Sequence, residues 1–135
     1  MRTTLINPLR ALLLTAAVAG CGGQRISGAV YAGQVPVYPG ATFETASRGS
    51  YTDSAGRPPS LESQSWFYKI RDSIPRVADY YQHHLPDAKR DDGDDGTVTF
   101  SFVPKGAESG EGVSVTIRPG ELQIAETTKP GKRKA

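Results

Sequence analysis

The sequence predicts an α+β fold, with an antiparallel sheet of about five strands and one helix packed on one face, in the order ββαβββ. Several short segments alternate apolar and polar residues with the period of two that a half-buried strand requires. A single segment, residues 74–85, repeats apolar residues at helical spacing instead. The 135 residues include one cysteine, so a packed core and not disulfides must stabilise the fold.

The first two predicted strands lie on either side of a long polar connection. Residues 41–46 alternate weakly after Pro39-Gly40, a pair suited to a type II turn. The connection over residues 48–63 is rich in Gly, Ser and Pro and contains Pro58-Pro59, so we expect it to be exposed. Residues 64–70 give the strongest strand signal, and four of them share one face: Gln64, Trp66, Tyr68 and Ile70.

One helix is predicted after the second strand. Asp72 or Ser73 can cap it, and Pro75 is tolerated in its first turn. It ends at Leu85-Pro86, because the residue before a proline is driven out of the α region. Five residues form its apolar stripe: Ile74, Val77, Ala78, Tyr81 and Leu85.

Three further strands are predicted over residues 97–103, 112–118 and 121–125, with Pro119-Gly120 turning the second into the third. One face of each strand is apolar and is expected to contact the helix. The opposite face is polar, which is the pattern of a half-solvated antiparallel sheet. Its predicted residues are Thr97, Thr99, Ser101, Ser114, Thr116 and Gln123.

Two clusters contain residue types that bind metals or transfer protons. His83 and His84 are the only histidines, but adjacent helical positions point about 100° apart, whereas a zinc-binding helix uses positions i and i+4. Residues 91–96 (Asp-Asp-Gly-Asp-Asp-Gly) bring four carboxylates together, yet Gly96 and Val103 occupy positions where an EF-hand requires acidic ligands. We therefore expect a solvated helix end, a flexible turn, and no metal or cofactor. Weak calcium binding by the four carboxylates is the alternative.

The first twenty residues predict an export signal. Arg2 and Arg10 precede an apolar run over residues 11–19, which is too short to cross a bilayer as a helix. The run Val18-Ala19-Gly20-Cys21 resembles the lipobox of bacterial lipoproteins. This resemblance implies that Cys21 is acylated, with chains such as palmitate, and becomes the first residue of the mature protein. The alternative is a short transmembrane or buried helix with an incidental cysteine.

The resemblance also implies where in the cell the protein is located. Several acyl chains hold a protein in a membrane almost permanently, so the domain is expected to be anchored in the cell envelope through Cys21. Gly22 follows the cysteine where an aspartate would favour retention in the inner membrane. In a bacterium with two membranes, Gly22 therefore implies sorting to the outer membrane, with the domain facing the periplasm.

The predicted domain organisation has four parts. Residues 1–20 are a lipoprotein signal peptide, residues 21–35 a lipidated flexible tether, residues 36–126 the α+β domain, and residues 127–135 a basic disordered tail. Within the domain, Val37-Tyr38-Pro39-Gly40-Ala41 resembles the opening of small bacterial envelope domains in which such a strand precedes a strand-helix-strand unit.

The net charge of the mature chain limits the classes of partner that the sequence implies. Without residues 1–20, the 16 basic residues fall to 14, equal to the 14 acidic ones. A nucleic-acid partner is therefore not implied. The tail contains Lys129, Lys132, Arg133 and Lys134, for which the alternative to plain disorder is contact with anionic lipid headgroups or other envelope polymers.

These observations predict a non-enzymatic binding or structural module that is anchored in the envelope by lipid. We expect its polar sheet face, or the loop at residues 48–63, to bind an envelope protein. No nucleophile elbow, P-loop, dinucleotide fingerprint or Cys/His metal spacing occurs. The alternative is an envelope-anchored enzyme or small-ligand-binding protein that uses carboxylates with His83 or His84. A histidine and a carboxylate converging in a concave pocket would favour it.

Overall fold

The computed structural model describes residues 26, 28–51 and 61–132, with Tyr51 described by its backbone alone. These residues form one antiparallel six-stranded sheet and one α-helix, which confirms the α+β class. The spatial order of the strands is β1-β2-β6-β5-β4-β3. In chain order the elements are β1 Thr42–Tyr51, β2 Leu61–Lys69, α1 Ile74–His84, β3 Lys89–Asp92, β4 Val98–Phe102, β5 Gly112–Arg118 and β6 Glu121–Thr128.

The sheet has one strand more than predicted. β3 has the sequence Lys-Arg-Asp-Asp, pairs with β4 at one edge of the sheet, and is exposed along its whole length. Apolar alternation cannot mark a strand without apolar residues, and charged residues are typical of edge strands because they discourage pairing with another chain. The expected flexible turn is therefore wrong for Asp91 and Asp92, which belong to β3. The turn itself spans residues 93–97.

β1 and β2 are longer than predicted. Residues 48–51 and 61–63, assigned to the connection, are paired as antiparallel strand, and only residues 52–60 of that connection lie outside the described residues. β1 has a register shift between Phe43 and Thr45, and its described side chains are exposed. It forms the edge of the sheet opposite to β3.

The helix begins and packs as predicted. The Ser73 hydroxyl accepts a hydrogen bond from the backbone N–H of Arg76 at 3.4 Å, and Pro75 lies in the first turn. The apolar stripe faces the sheet, with Val77, Ala78 and Tyr81 buried and the stripe's two ends partly buried. The predicted inward strand positions are confirmed in the core, which contains Trp66, Tyr68, Ile70, Val98, Phe100, Val113, Val115, Ile117, Leu122 and Ile124.

Residues 28–41 cover the same face of the sheet beside the helix. Ala32 lies in a short 3-10 turn, Ala32–Gln34, and is buried together with Val35, Val37 and Ala41. The Tyr81 hydroxyl joins this segment to the helix, because it donates to the Pro36 carbonyl at 2.8 Å and accepts from the Tyr38 N–H at 3.0 Å. Burial raises the pKa of Tyr81, so this hydroxyl stays protonated.

The folded domain therefore extends beyond the limits that the sequence predicted. Residues 28–35, assigned to a flexible tether, contribute to the core, because their small and apolar side chains cover the end of β6. At the other end, Thr127 and Thr128 belong to β6, and Lys132 is bound by ion pairs. Residues 1–25, which include the predicted signal peptide, residue 27 and residues 133–135 lie outside the described residues.

Candidate functional site

The sheet face opposite the helix is the polar surface that the sequence predicted, and we call it the open face. None of the described residues covers it, and its side chains are partly exposed. It is longer than expected, because β2 and the end of β6 add to it. Its uncharged side chains on β2, β4, β5 and β6 are Ser63, Ser65, Phe67, Thr99, Ser101, Ser114, Thr116, Gln123, Ala125 and Thr127. Charged side chains lie at its margins: Lys69, Lys89, Asp91, Arg118 and Glu121. The predicted member Thr97 precedes β4, in the turn.

Strand register arranges the middle of the open face in two rows that cross the sheet. One row runs from β1 to β4 through Ser47, Ser65, Ala125, Ser114 and Ser101. The neighbouring row is bulkier and runs through Thr45, Phe67, Gln123, Thr116 and Thr99. Adjacent strands are about 4.8 Å apart, so the first row presents small side chains, four of them hydroxyls, at regular intervals.

Few hydrogen bonds within the open face occupy these polar groups. Gln123 donates to the Ser65 hydroxyl at 3.2 Å and accepts from Arg118 at 3.0 Å, while the hydroxyls of Thr99 and Thr116 lie 3.5 Å apart. A hydroxyl group both donates and accepts. Most of the face therefore keeps hydrogen-bonding capacity for water or a bound partner.

The open face is indented where β5 begins. A depression of about 440 Å³ lies beside Gly112, which has no side chain to fill it, and its lining includes Lys89, Ser101, Ser114 and Thr127. The volume is in the range of small-ligand sites. A short segment of a partner or a small polar molecule would fit there.

A second groove, of about 470 Å³, lies between the end of the helix and the residues after β4, and it contains a histidine and a carboxylate. His84 and Asp87 both line it, together with Lys89, Val103 and Lys105. Among the described residues no hydrogen bond or ion pair joins His84 to Asp87. The His84 ring stacks on Tyr80 at 4.0 Å, with Nδ1 2.8 Å from the Tyr80 carbonyl oxygen. The two residues share a groove without forming an acid–base pair.

The other residues predicted as candidates for metal binding or proton transfer, His83 and the aspartates of residues 91–96, do not come together in one site. His83 is exposed, with Nδ1 3.0 Å from the Asp79 carbonyl oxygen. The hydrogen bond from Arg90 lowers the pKa of Asp92, and that from the Thr97 N–H lowers the pKa of Asp95. In residues 26, 28–51 and 61–132, no three His, Cys, Asp or Glu side chains are grouped as a metal site would require.

Two buried glutamates form a polar arrangement that the sequence analysis did not identify. Glu126 lies on the covered face and accepts hydrogen bonds from the backbone N–H groups of Val30, Tyr31 and Ala32 at 2.8–3.1 Å. Glu111 precedes β5 and accepts from the backbone N–H groups of Glu108 and Lys129, both at 2.7 Å. The alternation of β6 could have predicted that Glu126 points inward, because alternate residues of a strand share a face and Leu122 and Ile124 both point inward.

Glu111 also takes part in a charged network. Lys132 donates to Glu111 at 2.9 Å and to Glu108 at 2.7 Å, and the Tyr31 hydroxyl donates to Glu111 at 2.9 Å. Burial alone would raise the pKa of Glu111, but the hydrogen bonds from backbone N–H groups, Lys132 and Tyr31 outweigh it and lower the pKa to about 2. The network ties the segment before the 3-10 turn to the residues after β6.

The remaining sequence candidate, Cys21, lies outside the described residues. Within the described parts of the chain, no helix is long and apolar enough to cross a membrane. Comparison with protein-family models, with curated proteins and with solved structures found no match.

Proposed function

We propose that this protein is a lipid-anchored lipoprotein of the cell envelope, and that its domain is a non-catalytic binding module that uses the open face. The observation that supports binding is the contrast between the two faces of one sheet. One face is covered by a helix and an N-terminal segment, whereas the other presents rows of small hydroxyl side chains that the described residues leave uncovered.

The proposed partner is an envelope protein. From β1 to β4 the two rows contain no charged residue, and the charged side chains of the open face lie at its margins, on β3 and at the Gly120 end. Recognition at the centre of the face therefore depends on hydrogen bonds and shape more than on ion pairs. Interfaces of this kind are polar and hydrated. The depression beside Gly112 gives the otherwise flat sheet a feature into which a partner side chain can insert.

Site-specific crosslinking tests the binding surface. A photo-crosslinking amino acid at Thr116, on the open face, is expected to capture a partner in native cells, because this side chain lies at the centre of the sheet. The same group at Gln82, an exposed helix position on the opposite side of the domain, is the matched control. Equal capture from both positions, or capture only from Gln82, would contradict binding through the open face.

Mass spectrometry of the mature protein from its native cell tests the anchor. The lipobox resemblance at Val18-Ala19-Gly20-Cys21 supports a first residue Cys21 that carries acyl mass. Cys21→Ala should abolish the acyl mass and release the domain from the membrane fraction. An unmodified cysteine in the wild-type protein would contradict the proposal.

The groove at the helix end supports a second candidate, an envelope enzyme or small-ligand-binding protein that uses His84 and Asp87. Both residues line this groove. If the groove is the site, His84→Ala and Asp87→Asn should each remove the cellular phenotype of the protein while Thr116→Val leaves it intact. The reverse result favours the open face.

A further inference from the structure

The loops of the domain are divided between two ends of the sheet that differ in charge. The Gly112 end consists of residues 85–88, 103–111 and 129–132. The Gly120 end consists of residues 70–73, 93–97 and the turn at Pro119-Gly120. Every strand runs between these two ends.

The Gly112 end gathers lysines from separate parts of the chain. Lys89 begins β3, Lys105 follows β4, and Lys129 and Lys132 follow β6. Among the described residues, ion pairs to carboxylates are formed by Lys132 alone of these four. Val103, 72% exposed, lies at the same end. Asp87, Glu108 and Glu111 also lie at the Gly112 end, where Glu108 and Glu111 pair with Lys132. The Gly120 end holds Asp72, Asp91, Asp92, Asp94, Asp95 and Glu121 together with Lys69, Arg71 and Arg118. Among these residues, the ones outside the ion pairs are three lysines and Asp87 at the Gly112 end, but three aspartates with Lys69 and Arg71 at the Gly120 end.

The N-terminal segment enters the domain beside the Gly112 end. Glu126 holds the N–H groups of Val30, Tyr31 and Ala32, and the Tyr31 hydroxyl contacts Glu111. Ile26 packs against the core. Four residues then separate Ile26 from Cys21, and the five Cα–Cα steps between the two reach at most about 18 Å when fully extended. That reach is shorter than the roughly 24 Å that a seven-residue strand such as β5 spans.

We infer that the Gly112 end docks on the membrane surface, with Lys89, Lys105 and Lys129 against anionic lipid headgroups and Val103 among them. This inference rests on the proposed lipid anchor at Cys21. The short reach from the anchor keeps the domain at the surface, and the distribution of charge selects the end that faces it. Basic side chains near an anionic surface attract it, whereas the aspartates of the Gly120 end are repelled. The depression beside Gly112 then lies next to the bilayer. The rest of the open face, around Thr116 and towards the Gly120 end, stands away from the bilayer and is accessible to a partner.

Headgroup quenching in the acylated protein tests this orientation. The acylated protein is placed in vesicles of phosphatidylethanolamine and phosphatidylglycerol that carry a headgroup quencher. A dye is attached to a thiol introduced by Ser109→Cys at the Gly112 end or by Asp94→Cys at the Gly120 end, because acylation blocks Cys21. Quenching at position 109 should be several times stronger than at position 94. Equal quenching, or stronger quenching at position 94, would overturn the orientation.

Charge-matched variants test the lysines. Lys89→Gln with Lys105→Gln, in the Ser109→Cys protein, should lower the ratio of docked to undocked domain about fivefold per lysine and weaken quenching at position 109. Lys69→Gln with Arg71→Gln removes the same charge at the opposite end and should leave quenching unchanged. Loss of quenching with both pairs, or with neither, would contradict docking through these lysines. Mass spectrometry of each sample separates the two proposals: absent acyl mass overturns the anchor and the inference together, whereas acylated protein with the wrong quenching pattern overturns the orientation alone.

Discussion

Glu126 and Glu111 are both buried carboxylates near the Gly112 end, but they are stabilised differently. The donors described for Glu126 are backbone N–H groups, at Val30, Tyr31 and Ala32. Glu111 combines two backbone N–H groups with the Lys132 ammonium and the Tyr31 hydroxyl. A carboxylate can be buried when several donors satisfy its oxygens. The type of donor decides which part of the chain loses support when the carboxylate is removed.

The difference follows from what each carboxylate holds in place. Glu126 lies where the 3-10 turn begins, and the N–H groups at the start of a helical turn lack partners within the turn. Glu126 therefore caps a segment whose residues Ala32 and Val35 fill the core. Glu111 holds a surface loop and the residues after β6, where Lys132 remains 27% exposed. The first carboxylate supports the core, and the second joins surface segments.

The largest effect is expected from Glu126→Gln. The amide keeps one oxygen acceptor but turns an NH₂ group towards N–H donors, so at least one buried donor loses its partner. Each hydrogen bond to a charged group contributes about 1.5–3 kcal/mol, and we expect a loss of about 2–4 kcal/mol in the free energy of unfolding, measured by urea denaturation. Hydrogen exchange at Val30, Tyr31 and Ala32 should accelerate more than in β5.

Glu121→Gln is the matched control for this substitution. Glu121 lies on the same strand at the opposite end, and its side chain is 39% exposed and paired with Arg118. Such surface pairs contribute little, so the control should change stability by less than about 0.5 kcal/mol. If the two variants were equally stable, Glu126 would not support the core.

Much of the sheet and helix was predictable because alternation and helical spacing reflect burial on one side. Phe100, Val115 and Ile124 lie in the core where their spacing predicted them. β3 escaped prediction because a charged edge strand buries nothing. Residues 28–35 escaped because their packing depends on Glu126, nearly a hundred positions away, and a short Gly-containing segment has no local periodicity that reveals such a partner. The polar open face was predicted, whereas the glutamate network depends on long-range contacts.

A smaller, pH-dependent effect is expected from Glu111→Gln. Hydrogen bonds lower the pKa of Glu111 from its ordinary value of 4.5 to about 2 in the folded state. The stabilisation is therefore fully present above about pH 4.5 and is lost as the pH falls towards 2. Glu111 is buried, but its partner Lys132 and the neighbouring Glu108 are partly exposed, so solvent screens the ion pairs and we expect a loss of about 1 kcal/mol at neutral pH. Denaturation curves at several pH values should show a shallower pH dependence in the variant than in the wild-type protein.

The lowered pKa values of Asp92 and Asp95 also contribute to acid sensitivity. Both groups are present in the wild-type protein and in Glu111→Gln, so the difference between the two curves isolates Glu111. Parallel curves across this range would show that Glu111 does not have a lowered pKa.

The smallest effect is expected from Lys132→Met, which removes one donor to Glu111 and keeps the aliphatic stem near the Tyr31 ring. Glu111 keeps its two backbone donors and the Tyr31 hydroxyl. The carboxylate therefore stays charged and buried, and stability should fall less than in Glu111→Gln. Denaturation in low and high salt measures how much the ion pairs of Lys132 contribute to the free energy of unfolding, because salt screens exposed charges. The variant should approach the wild-type stability as salt increases. If Lys132→Met were more destabilising than Glu111→Gln, the ammonium and not the backbone donors would hold Glu111 in place.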